Sequence, residues 1–112
     1  MEDEPMSKLY NYTLADEKTI EVIVNEDVVM INHMILPKGD CLPVHKANSN
    51  VYMIVSDGEI TLELNGSKPV TYKKGSIINI EYDTQMNACN KTCERTELFV
   101  VKAPGPAKYS AV

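Results

Sequence analysis

At 112 residues, 44% hydrophobic and 24% charged, the chain has the length and composition of one soluble domain. Nothing approaches the roughly eighteen consecutive apolar residues of a membrane span, and a net charge of −5 with eleven scattered Lys and Arg argues against a nucleic-acid partner. The same balance disfavours a strongly acidic ligand, although a single buried cation would suffice to hold one.

The N-terminal MEDEPMSK is acidic and lacks a basic region followed by an apolar run, so it does not read as a signal peptide. A cytoplasmic protein is expected. The acidic N-terminus is expected to be flexible. Leu9, Tyr10, Tyr12 and Leu14 then suggest a short strand that could be exchanged with a partner chain. Residues 19–24 (TIEVIV) are rich in β-branched side chains and read as a strand. Residues 28–36 (VVMINHMIL) form a long apolar run with the character of a strand buried on both faces. Pro37, Lys38, Gly39 and Asp40 end it with turn chemistry.

A short segment at 44–47 and a strand at 51–55 (VYMIV) follow, closed by Asp57-Gly58. Residues 59–64 (EITLEL) alternate polar and apolar side chains, which places Ile60, Leu62 and Leu64 on one buried face. Asn65-Gly66 is the strongest hairpin signal, because both residues accept the positive φ of a type I′ turn. Strands at 69–72, 76–80, 85–90 and 97–101 complete the series. Ala103-Pro104-Gly105-Pro106 ends regular structure and a loose tail is expected beyond it. About nine short strands with no amphipathic helix imply an all-β sandwich or barrel with a core near residues 19–101. The chain reads as one domain from 1 to 112.

The three cysteines, Cys41, Cys89 and Cys93, are odd in number, and Cys89 and Cys93 lack zinc-type CxxC spacing. Free thiols in a reducing compartment are expected.

Residue spacing narrows the fold. Gly39 is followed after five residues by His45, and Gly58 falls at the end of the same motif. Gly75 opens a second motif that ends at Asn90, with 16 residues between Gly58 and Gly75. This resembles the cupin pair of motifs, G-x5-H-x-H-x3-E-x6-G and G-x5-P-x-G-x2-H-x3-N, over roughly residues 28–101. The resemblance implies a double-stranded β-helix, or jelly-roll, barrel. In metal-binding cupins the two His and the Glu of the first motif, with the His of the second, hold iron, manganese, nickel or zinc. The matching positions here are His45, Ala47, Val51 and Met86, so one ligand in four is kept. The resemblance therefore implies a barrel without its usual metal and with no cofactor.

His45 is the best single site candidate, since an imidazole suits proton transfer near neutral pH. The alternative is a histidine bonded to the loop Asn48-Ser49-Asn50. The expected ligand pocket comprises His45, Ala47, Val51, Met53, Met86 and Asn90. Asn48, Asn50, Asn79, Tyr82 and Gln85 add neutral polar groups, and Glu81 and Asp83 lie in a loop at the barrel mouth. Met30, Met34, Met53 and Met86 would make a Cu(I) set only if they converged; core filling is the commoner use of methionine. His33 reads as a satisfied core or interface histidine.

The expected function is the binding of a small neutral or weakly polar organic molecule. Two alternatives differ in class. A metal-independent isomerase or epimerase would need His45 plus a second group, Tyr82 or Tyr52. A metal enzyme would need His45 with Cys41 or Met86. A homodimer is expected, because a 112-residue barrel does not obviously cover both faces of residues 28–36.

Overall fold

The computed structural model describes residues 6–110. Among them are nine strands and one short helix. In chain order these are β1 (Thr19–Asn25), β2 (Met30–Pro37), β3 (His45–Lys46), β4 (Val51–Asp57), β5 (Glu59–Leu64), β6 (Val70–Lys73), β7 (Ile77–Ile80), β8 (Gln85–Cys89), β9 (Arg95–Lys102) and α1 (Ala107–Ser110). A five-stranded sheet, β1-β2-β9-β4-β7, faces a four-stranded sheet, β3-β8-β5-β6. Every named strand pair is antiparallel. The double-stranded β-helix read from the motif spacing is the fold the chain adopts.

Alternation builds the core. Val51, Met53 and Val55 of β4 point inward with Leu98 and Val100 of β9, and Met34 and Leu36 of β2 join them. From the facing sheet come Ile60 and Leu62 of β5 and Met86 and Ala88 of β8. Each fully buried aliphatic side chain here contributes roughly 1.5–3 kcal/mol. The β5–β6 hairpin turns on Asn65 and Gly66, at φ 50° and 70°, and Ser67 N donates to Leu64 O at 2.9 Å. Gly58, at φ 71°, lies against β9, where an added Cβ would collide with the Arg95 carbonyl oxygen.

The outer face of β2 is covered from within the chain. His33 and Ile35 on that face are fully buried. Tyr12 packs on His33 at 4.7 Å and on Phe99 at 5.0 Å between ring centroids. Thr13 donates to Glu21 through its backbone N at 2.8 Å and its hydroxyl at 2.9 Å. Arg95 Nε donates to the Ala15 carbonyl at 3.1 Å. The segment from Leu9 to Leu14 therefore crosses its own sheet rather than forming a strand. The reason is geometric: ring stacking and side-chain hydrogen bonds anchor it to the sheet face, not to a sheet edge. Its acidic start, residues 1–5, lies outside the described residues.

Two other expectations are corrected. Cys41 and Cys89 form a disulfide across a bridge between neighbouring segments, 48 residues apart in sequence, leaving Cys93 free. An odd count does not prevent one pair, and register here brings the two together. The expected three free thiols are thus one, Cys93. The C-terminal segment is also docked rather than loose. Gly105 N donates to Asp27 O at 2.9 Å, Ser49 Oγ donates to Pro104 O, and Tyr109 stacks on Tyr82 at 4.1 Å. Residues 111–112 lie outside the described residues. No helix among the described residues is long and apolar enough to cross a membrane.

Candidate functional site

The motif positions meet between the two sheets. His45 pairs with Met86 across β3 and β8, and both face Val51 and Met53 of β4 over a cavity of about 40 Å³. Ala47 and Leu42 close it from the segments flanking β3, and Met34 and Val100 add to the apolar wall. Water needs about 10–15 Å³ of such space, so the cavity holds roughly three waters or a ligand end of similar size.

Polar groups collect at one end. Asn32 of β2 and Lys102 of β9 are inward-facing and line the cavity with His45 and Asn48. Asn32 is 9% exposed, and its Oδ1 has no hydrogen-bond partner among the described residues. Lys102 Nζ donates to Asn48 Oδ1 at 2.9 Å, and burial pushes its ammonium below the usual lysine range. His45 Nδ1 lies 2.8 Å from the Pro43 carbonyl oxygen. A carbonyl only accepts, so Nδ1 donates, and in the neutral ring Nε2 keeps its lone pair. The expected bond from His45 to the loop at 48–50 is thus replaced by one to Pro43.

The remaining candidates are placed apart. Asn90 is fully buried away from the cavity and knits loops together. Its Nδ2 donates to the Leu36 and Cys93 carbonyls at 2.8 Å each, and its Oδ1 accepts from Cys93 N at 3.0 Å. Cys41 is paired with Cys89, which lies three positions beyond Met86 on β8 and so on the opposite face. Cys41 and His45 therefore point to different sides; Leu42 and Pro43 break the regular alternation that would have aligned them. Tyr52 is exposed on the outer face of β4. Asn79 and Asn50 bond each other at 2.9 Å, and Gln85 N donates to Asn65 Oδ1. Glu81 is exposed. Met30 is not on the cavity wall, whereas Met34, Met53 and Met86 are.

A second, open cleft of about 370 Å³ lies outside the first. It is walled by Lys46, Tyr82, Asp83 and the C-terminal Pro106, Ala107 and Tyr109. Ala47 and Asn48 line both spaces, so the cleft and the cavity share a wall. Lys46 and Asp83 approach to 3.9 Å across its rim.

The donors do not fit the hard divalent ions of metal-binding cupins. Among the described residues, no three His, Cys, Asp or Glu side chains gather to hold an ion. The cavity offers one imidazole and three thioethers, a soft set, and the Lys102 ammonium opposes a cation at its mouth.

Sequence reasoning missed Asn32 and Lys102. Asn32 was hidden in the apolar run of β2. Lys102 lies one residue past the expected end of β9, yet it continues the inward series Thr96, Leu98, Val100.

No protein-family model matches the chain. Over 107 residues it is 39% identical to the uncharacterized protein MJ0764 of Methanocaldococcus jannaschii, covering 95% of this chain and 92% of that protein. The crystal structure of that RmlC-like cupin family protein, with a double-stranded β-helix fold, matches at a TM-score of 0.92 and 38% identity. The match covers 96% of this chain and 100% of that one. The chain belongs to the RmlC-like cupin family. A Klebsiella pneumoniae protein with a double-stranded β-helix domain matches at a TM-score of 0.75 and 19% identity, covering 94% of this chain and 91% of that one. That likeness is one of fold alone.

Proposed function

We propose that this cupin binds a small neutral or weakly polar organic molecule in the barrel cavity without a metal. The observation that carries the reading is Asn32, which lines a mainly apolar cavity and whose buried Oδ1 has no hydrogen-bond partner among the described residues. A buried polar atom left unpaired costs free energy that a bound donor recovers. The small volume limits the enclosed part of the ligand to a few heavy atoms.

The test is to purify untagged protein, dialyse it against chelator, and measure its melting temperature with iron, manganese, nickel, zinc or, under reductant, copper(I). The melting temperature is expected to stay constant. A stoichiometric metal that raises it, and is lost in His45→Ala, overturns the metal-free reading.

A second reading is a metal-independent isomerase. Lys102 supports it, because it lies on the sheet facing His45 and provides a second proton-transfer group at the cavity. This reading expects solvent deuterium to enter a bound carbonyl compound, and both His45→Ala and Lys102→Gln to stop it.

We also infer a homodimer. The N-terminal segment covers β2, so that strand no longer requires a partner. The ground is now β1, an edge strand whose Ile20 and Val22 are 53% and 57% exposed on one face. A monomeric mass by light scattering at micromolar concentration would refute it.

A further inference from the structure

Lys102 is out of place for a core-facing position. On β9 the inward residues are Thr96, Leu98, Val100 and then Lys102, so the strand's alternation aims this side chain toward the barrel interior. It is half-buried. Its hydrogen-bond partner is the neutral Asn48 Oδ1, and no carboxylate pairs with it among the described residues. Its ammonium meets only a neutral oxygen, through an exposed hydrogen bond, and an anion beside it would gain a charge-assisted bond.

Asn32 is the independent second observation. It is opposite Val100 in the β2–β9 register, and Met30 is opposite Lys102. Asn32 and Lys102 are therefore diagonal neighbours on the same sheet face, a separation of roughly 7–8 Å that is somewhat less between Cβ atoms. One position lacks a donor and the other lacks an anion. A single short molecule can supply both. Beyond them the wall is apolar, with Met53, Val51 and Met86.

We propose that the cavity takes a short-chain aliphatic hydroxy acid, its carboxylate on Lys102, its hydroxyl donating to Asn32 Oδ1 and its alkyl end against Met53 and Met86. The proposal rests on the reading above that the cavity binds a small organic molecule, and departs from it in one respect: Lys102 calls for an anionic head group rather than a neutral one. The volume agrees with it: about 40 Å³ encloses the alkyl end and hydroxyl, and the carboxylate meets Lys102 beside its exposed bond to Asn48. The −5 net charge of the protein disfavours anions in general, so a local cation is what such a ligand requires.

The experiment follows the methyl resonances of Met53 and Met86 while 2-hydroxybutyrate, butyrate or 2-hydroxybutyramide is added to the full chain. The hydroxy acid is expected to bind at least tenfold more tightly than the amide and several-fold more tightly than butyrate. Lys102→Gln should abolish the preference for acid over amide, and Asn32→Ala the preference for hydroxy acid over butyrate. Lys74→Gln, in the exposed turn between β6 and β7, should change neither ratio. Equal binding of acid and amide, or a preference that survives Lys102→Gln, overturns the hydroxy-acid assignment and leaves the ligand-binding reading standing. If none of the three compounds moves either methyl at tens of millimolar, both readings fall.

Discussion

The two histidines belong to different sheets, His33 to the outer face of the five-stranded sheet and His45 to the four-stranded one, and differ in how their nitrogens are used. His33, on the outer face, is 0% exposed, and its Nδ1 and Nε2 each lie 2.7 Å from a carboxylate, those of Glu21 and Glu97. Ionised carboxylates only accept, so both ring nitrogens donate and nothing is left for a ligand. Arg95 extends the network to Glu97 at 3.3 Å and Asp57 at 3.0 Å, while Tyr12 caps the ring. His45, facing the cavity, spends one nitrogen on the Pro43 carbonyl and keeps the other. A completed network holds a structure together; an incomplete one beside a cavity offers a place for a ligand. Asn90 and Asn32 repeat the contrast, one with its amide satisfied and the other with an unpaired oxygen.

The contrast can be broken experimentally. The largest expected effect is on the four-stranded sheet, where the Cys41–Cys89 bond closes a 48-residue separation. Replacing both cysteines with serine should cost up to about 4 kcal/mol by loop entropy. A thiol titration of the denatured, unreduced protein should find one thiol per chain, Cys93; three would show that the bridge is not formed. Next comes His33→Leu, which leaves Glu21 and Glu97 facing each other without the ring. A loss of about 3 kcal/mol in urea unfolding is expected, and a loss below about 0.5 kcal/mol would deny the network its structural role.

Acid should act on the outer face. The Thr13 backbone N–H and then His33 hold Glu21 below the usual carboxylate range. For Glu97, burial pushes upward but is outweighed by hydrogen bonds from His33 and Ser56 and by the Arg95 charge, so it too is lowered. Their stabilisation is complete above the unfolded pKa, about 4.3. It is lost as pH falls through the lower folded values. The melting temperature should therefore drop on acidification below about pH 4 in the native chain, and less steeply in a Glu21→Gln, Glu97→Gln double variant. An equal slope in both would remove the carboxylates from the account. The smallest effect is expected at the other histidine: His45→Ala should change stability by less than about 0.5 kcal/mol, because the side chain is exposed and bonds one carbonyl.

Local chemistry made most of the architecture legible. Alternation over residues 59–64 and the Asn65-Gly66 turn mark the hairpin directly, and the motif glycines 39, 58 and 75 all adopt positive φ. The convergence of His45, Ala47, Val51, Met53 and Met86 follows from the motif spacing. What escaped depends on register between distant segments. The pairing of Cys41 with Cys89 needs the irregular path between Cys41 and His45, and no local pattern shows it. Asn32 has a meaning only once its face of β2 is known, and Lys102 only once β9 is known to run one residue further. Asn90 shows the converse: a motif position can serve loop structure as fully as it serves a pocket.

The central claim is that the cavity, and not a metal centre, is the working part of this cupin. It is tested most directly by following the Met34, Met53 and Met86 methyl resonances of chelator-treated protein while small organic ligands or Mn²⁺ are added. Small organic molecules should shift these methyls saturably, and stoichiometric Mn²⁺ should leave them sharp. Stoichiometric paramagnetic broadening by Mn²⁺ that disappears in His45→Ala, with no organic molecule moving the methyls, would contradict it.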